Sequence, residues 1–145
     1  MNTHIKRLPE FYDLATQQAT GKTILVVDDE VKIREMYKRI LNSIGFDVVV
    51  AGNAMDAHSL LSGHRFDVVL LDINMEEVDG SILFDVIKLF HRDIKVVISS
   101  VLSIDEQKRR IKDADGYFDK SDDKDILLSM IYVLLQKPEE AIDRC

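Results

Sequence analysis

The sequence predicts an α/β fold, a doubly wound three-layer sandwich built on a parallel five-stranded sheet. Two observations lead there. Short apolar runs alternate five times with longer stretches of helical periodicity. The runs, such as Val68 to Leu71, show no polar alternation, which suits strands covered on both faces. Because the connections are short, each crossover is expected to be right-handed and every neighbouring strand parallel.

The elements follow in order. Thr23 to Val27 is the first strand, and it runs into Asp28, Asp29 and Glu30. Ile33, Met36, Tyr37, Ile40, Leu41 and Ile44 then mark one face of a helix that Gly45 is placed to end. Phe46 to Val50 is the second strand. Asn53 caps a helix with Ala57, Leu60 and Leu61 inward, closing at Gly63. The third strand stops at Asp72. Asp79-Gly80 reads as a turn and helix start, with Ile82, Leu83, Val86, Ile87 and Phe90 as the apolar face. Ile94 to Ile98 is the fourth strand and leads to Ser99 and Ser100. The next helix, about Ile104 to Lys112, has little apolar content beyond Ile104 and Ile111, so it is expected to be weakly held. Gly116 to Phe118 is the fifth strand and leads to Asp119-Lys120. Asp122 or Asp123 caps a last helix with Ile126, Leu127, Met130, Ile131 and Leu134 inward. At this size the expected strand order is the flavodoxin-like 2-1-3-4-5.

This frame makes residues 22–137 one domain, preceded by an extension (1–21) and followed by a tail (138–145). In the extension Ile5, Leu8, Phe11, Tyr12 and Ala15 share a helical face, with Pro9 near its first turn. That face either packs on the domain or meets a partner. The chain has 145 residues, enough for a substantial core. A net charge of -7 argues against binding nucleic acid through a basic face. No apolar run has membrane-spanning length. The sole cysteine, Cys145, cannot form an intrachain disulfide, which suits a reducing, cytoplasmic compartment. His4, His58, His64 and His91 have no ligand spacing. Lys108 to Arg110 reads as a solvated face or a partner surface.

In the expected order, the carboxyl ends of strands 1, 3, 4 and 5 bring together Asp28, Asp29, Asp72, Ser99 or Ser100, and Lys120. In open α/β sheets that edge is where ligands bind. Three carboxylates this close repel one another unless a cation is present. Oxygen ligands without His or Cys point to Mg2+. Phosphoryl transfer needs charge neutralisation and positioning above all. An aspartate is a competent nucleophile towards phosphorus, and Asp72, ending the central strand, is the best-placed acceptor.

These motifs together resemble the receiver domain of two-component response regulators, similar in size to stand-alone chemotaxis-type members. The likeness rests on Asp28-Asp29 after Ile-Leu-Val-Val, on Leu-Leu-Asp72 followed by Ile-Asn-Met and Asp79-Gly80, on a hydroxyl after the fourth strand, and on Gly116-Tyr-Phe-Asp-Lys120. It implies that Asp72 accepts the phosphoryl group from a histidine kinase or phosphotransfer protein. It implies Mg2+ held by Asp28, Asp29, Asp72 and the backbone carbonyl of Asn74, with Lys120 pairing with the phosphoryl group. The switch pair would be Tyr117 and a hydroxyl. A gap-free match selects Ser100 for that hydroxyl, and a shift of one selects Ser99. The signal would leave through a downstream protein partner, from a monomer or weak dimer, with no turnover of an outside substrate.

The chain departs from the family in four respects. Glu76, followed by Glu77, stands where a proline is usual, and Val101 replaces the usual small residue after the switch. Ser121 replaces the proline whose peptide bond to the lysine is cis. Because a non-proline cis bond costs about 3 kcal/mol, a trans bond and a displaced Lys120 are expected. The segment from Ser100 to Lys120 is about two residues short. Of these, Glu76 and Ser121 best support an alternative, a phosphorylation-independent interaction module of the same fold. A small aspartate-dependent phosphatase is disfavoured: the acidic pair is adjacent rather than spaced by one residue, and there is no cap segment.

Overall fold

The computed structural model describes residues 13–14, 16–75 and 79–136. The strands are β1 (Thr23–Val27), β2 (Asp47–Ala51), β3 (Val68–Leu71), β4 (Lys95–Ser100) and β5 (Gly116–Asp119). The helices between and after them are α1 (Val31–Ile44), α2 (Ala54–Gly63), α3 (Gly80–Phe90), α4 (Ile104–Arg110) and α5 (Lys124–Leu134). One five-stranded sheet has the order β2-β1-β3-β4-β5, with every pair parallel. The expected fold class and strand order are therefore the observed ones.

Side chains alternate across the sheet, and two apolar layers result. Leu25, Val27, Val69, Leu71, Val96 and Ile98 pack with α2, α3 and Ile111 on one face. Ile24, Val26, Val68, Leu70, Val97 and Phe118 pack with α1 and α5 on the other. The helix ends follow local chemistry. Asn53, Asp79, Ser103 and Asp123 each accept a backbone N–H from the first turn of their helix. Gly45 closes α1 at φ 122°, in the region open to glycine, with its N–H shared between Leu41 O and Asn42 O.

Several sequence expectations are corrected in detail. The second strand is shifted to Asp47–Ala51, and the fourth extends through both serines to Ser100. On α3 the inward residues are Gly80, Leu83, Phe84 and Ile87, while Ile82 and Phe90 face solvent. On α5 Leu128 is inward and Ile126 is exposed. Each helix carries apolar residues over more than half its circumference, so periodicity alone left the face ambiguous by a residue. The fourth helix ends at Arg110, and its buried member is Gln107; Ile104 is exposed. The chain then turns quickly into β5, with Asp113 at φ 66°.

Ahead of β1, residues 16–19 are helical, and Ala19 is fully buried in the layer of α1 and α5. Gln18 Nε2 donates to Leu135 O at 2.6 Å, tying this segment to the end of α5. Ile5, Leu8, Pro9, Phe11, Tyr12 and Ala15 lie outside the described residues, as do Glu76, Glu77 and Cys145. Among the described residues no helix is long and apolar enough to cross a membrane.

Candidate phosphoacceptor site

Parallel pairing sets the site. Val27 is level with Leu71, and Leu71 with Ile98, so Asp28 and Asp72 leave adjacent strands at the same height beside Ser99. Asp28, Asp29 and Asp72 each offer a carboxylate oxygen, and these atoms all lie within 4.8 Å of one another. Asp28 and Asp72 are buried, at 1% and 4% exposure.

Lys120, one residue past β5, reaches both. Its Nζ is 2.5 Å from Asp28 Oδ2 and 3.3 Å from Asp72 Oδ2. The expected displacement of Lys120 is thus not found. Among the described residues no peptide bond is cis. Ser121 closes the turn instead: its N–H and its hydroxyl both donate to Asp119 Oδ1, at 2.9 and 2.7 Å. Those same bonds hold the Asp119 carboxyl below the usual carboxylate range. Lys120 N–H donates to Ser100 O at 2.8 Å, which fixes the lysine at the sheet edge.

The carboxylates are held from the backbone as well. Glu30 N–H donates to Asp28 Oδ1 and Asn74 N–H to Asp72 Oδ1, each at 2.9 Å. Arg34 Nη1 donates to Asp28 O at 2.7 Å. Burial is the largest influence on Asp72 and raises its pKa. The Asn74 N–H and Lys120 oppose that shift, and the charge of Asp28 adds to it. Burial also opposes the charge on Lys120, yet its bond to Asp28 and the two carboxylates outweigh it and hold the lysine above its ordinary value. The two partners differ because Lys120 has two carboxylates for itself, whereas Asp72 takes the longer of the two contacts to a shared lysine.

Gly80 explains the Asp-Gly pair. A Cβ there would stand 2.5 Å from Asp72 O and 2.7 Å from Ile73 Cα. Both are backbone atoms that cannot swing aside. Gly80→Ala is therefore expected to destabilise the fold by about 1–3 kcal/mol, as overpacking does. It should also move the Asp72 backbone, visible as a lowered melting temperature and shifted Asp72 and Asn74 amide resonances.

The two serines separate cleanly. Ser99 continues the layer of Val97, and its Oγ lies 2.7 Å from Tyr37 OH on α1. Ser100 continues the layer of Ile98, which Tyr117 also joins, and its Oγ accepts the Leu102 N–H at 3.2 Å. The Tyr117 hydroxyl donates to Ile111 O at 2.7 Å and accepts from Ala114 N–H at 3.2 Å.

Sequence reasoning missed three groups here: Arg34, the Tyr37–Ser99 pair and Gln107. Tyr37 carried a usable signal, since a tyrosine on a core-facing stripe needs a partner for its hydroxyl. Burial, ahead of all other influences, holds that hydroxyl above its ordinary pKa and therefore neutral. Gln107 carried none, because its neighbours in the run around it are charged.

The donor set suits a hard divalent cation. Three carboxylates converge, one lysine supplies the counter-charge, and no His or Cys adjoins them among the described residues.

Comparison with known proteins agrees with this geometry. The response regulator receiver domain family matches residues 24–132. Protein PilG of Pseudomonas aeruginosa is 30% identical over 119 residues, 79% of this chain and 88% of that protein. The phosphate regulon transcriptional regulatory protein PhoB of the same organism is 32% identical over 104 residues, 69% of this chain; the chain spans only 45% of PhoB's length. Among solved structures, the response regulator TrrA of Thermotoga maritima, in complex with Mg2+ and BeF, superposes with a TM-score of 0.72 at 32% identity, covering 78% of this chain and 98% of that one. With its strand order, its carboxylate cluster and these matches in agreement, the chain belongs to the response regulator receiver domain family.

Proposed function

We propose that this receiver is a Mg2+-dependent phosphoacceptor whose acceptor is Asp72. The observation that carries the reading is Lys120 bridging Asp28 and Asp72 while Asp29 converges on the same point, all at the carboxyl ends of neighbouring strands. Asp28, Asp29, Asp72 and the Asn74 backbone carbonyl would hold Mg2+, which supplies charge neutralisation to the phosphoryl oxygens. The Asn74 N–H bond to Asp72 Oδ1 sets that stretch of backbone beside the acceptor.

Asp72 attacks the phosphorus of a phosphohistidine. The new O–P bond forms as the N–P bond breaks, and the electron pair leaves with the imidazole nitrogen. Lys120 shifts its pairing from the Asp72 carboxylate to the phosphoryl oxygens. The donor is a histidine kinase or a phosphotransfer protein, as for receiver domains in general. Ser100 and Tyr117 act as the switch pair, because both belong to the sheet face that carries Ile98 and Ile111, whereas the Ser99 hydroxyl is engaged by Tyr37. Ser100 moves to the new oxyanion, Tyr117 follows, and the face of α4, β5 and α5 changes for a protein partner.

The test adds beryllofluoride or acetyl phosphate with Mg2+ and records amide spectra of the protein and of Asp72→Asn. Mg2+-dependent shifts at Asp72, Ser100, Tyr117 and Lys120, spreading into α4 and absent from the variant, are the expected result. A silent spectrum at saturating Mg2+ would sink the reading in favour of a constitutive interaction module.

A further inference from the structure

Gln107 is the most buried residue of α4 and the only polar side chain that α4 buries. Its amide nitrogen donates twice: to Leu102 O and to Phe118 O, both at 2.9 Å. Two carbonyls face that end of the side chain, so the NH2 must point at them and Oε1 must point away. Oε1 is buried and has no hydrogen-bond partner among the described residues. An unpaired buried oxygen is unfavourable, so the arrangement is held by what the donors do.

Those donors join two particular segments. Leu102 lies two residues after Ser100, and its own N–H holds the Ser100 hydroxyl. Phe118 lies two residues before Lys120, on β5, which is an edge strand. A carbonyl on an open edge has no neighbouring strand to bond, and here Gln107 supplies the donor. One amide therefore clamps the segment that follows Ser100 to β5, which Lys120 follows; Lys120 N–H already joins the two backbones at Ser100 O, so what the amide adds is a hold on Leu102 and hence on the Ser100 hydroxyl. The clamp bonds none of the carboxylates: Asp28, Asp29 and Asp72 follow β1 and β3, and Asp28 and Asp72 meet this side of the site through the Lys120 ammonium.

We infer that Gln107 is a positioning residue. Its side-chain amide holds the Ser100 hydroxyl, through the Leu102 segment, in register with Lys120, the two groups that receive a phosphoryl group's oxygens, and makes no contact with the cation-binding carboxylates. This rests on the phosphoacceptor reading above and assigns a further residue to it.

The test separates the two ligands. In Gln107→Met, which keeps volume and removes both donors, Mg2+ alone should bind with the affinity of the parent. Mg2+-dependent beryllofluoride binding should weaken by about tenfold, the scale of one or two hydrogen bonds. Gln107→Asn, too short to reach both carbonyls, should show the same split. Unchanged beryllofluoride affinity in a folded variant overturns the inference, and so does an equal loss of Mg2+ affinity, which marks a merely structural role. Should both variants fail to fold, the parent decides. Its Gln107 side-chain NH2 resonances should shift on beryllofluoride with Mg2+ and stay fixed with Mg2+ alone; resonances unmoved by beryllofluoride reject the clamp. Failure of the phosphoacceptor reading is distinguishable, since it shows as no beryllofluoride response in the parent.

Discussion

Asp72→Asn is expected to raise the melting temperature while abolishing phosphoryl incorporation. The two effects have one origin. Burial disfavours the Asp72 carboxylate more than the Asn74 N–H and Lys120 favour it, and Asp28 repels it, so its folded pKa lies above its ordinary 3.8. Below that value both folded and unfolded chains hold the proton, and the group makes no difference. As pH rises from there through the folded pKa, the folded state binds more protons than the unfolded one, so stability falls. Above the folded pKa the full penalty persists to neutral pH. Asparagine keeps the shape and removes the charge, and with it this descending step. At this chain length each kcal/mol regained raises the melting temperature by roughly 3 °C. Mg2+ should raise the melting temperature of the parent and leave that of the variant nearly unchanged. Thermal melts across the acid range, with and without Mg2+, check this. A variant that melts lower than the parent at neutral pH without metal contradicts the account.

Lys120→Met should have the largest effect on stability. It leaves two carboxylates, Asp28 and Asp72, with side chains 2% and 5% exposed, without the ammonium that bridges them. Removing one partner of a buried ion pair costs about 3–5 kcal/mol. The loss should be greatest at neutral pH without metal. It should shrink in acid, where the carboxylates take up protons, and shrink again with Mg2+. The lysine has its own signature in the parent. Its folded pKa is raised, so its stabilisation is fully present below 10.5 and is lost as pH rises through the folded value. The parent should therefore weaken in that alkaline range through a step the variant lacks. Beryllofluoride binding should fall with the loss of the ammonium. Equal chemical stability of parent and variant at neutral pH would show that the pair is compensated elsewhere.

Much of this was legible from the chain. Unbroken apolar runs ending in Asp28-Asp29, Asp72, Ser99-Ser100 and Asp119-Lys120 define four strand ends, and parallel pairing carries them to one edge whatever the loops do. Local periodicity was less exact about which residues face inward. Ile82, Phe90 and Ile126 fit the apolar stripes yet lie outside the core, because apolar residues on these helices cover more than one face. Lys120 keeps its place for a similarly local reason: where the family has a proline, the Ser121 hydroxyl and N–H both bind Asp119 and close the turn.

The sequence by itself determined the strand order, the common edge and the carboxylates that gather there, since these depend on strand period and connection length. Only the tertiary structure decided how Ser99 and Ser100 divide, with Tyr37 taking one across 62 residues, and that Gln107 joins Leu102 to Phe118. A side chain's hydrogen-bond partner depends on which surfaces pack together, and no repeat along the chain encodes contacts between distant segments.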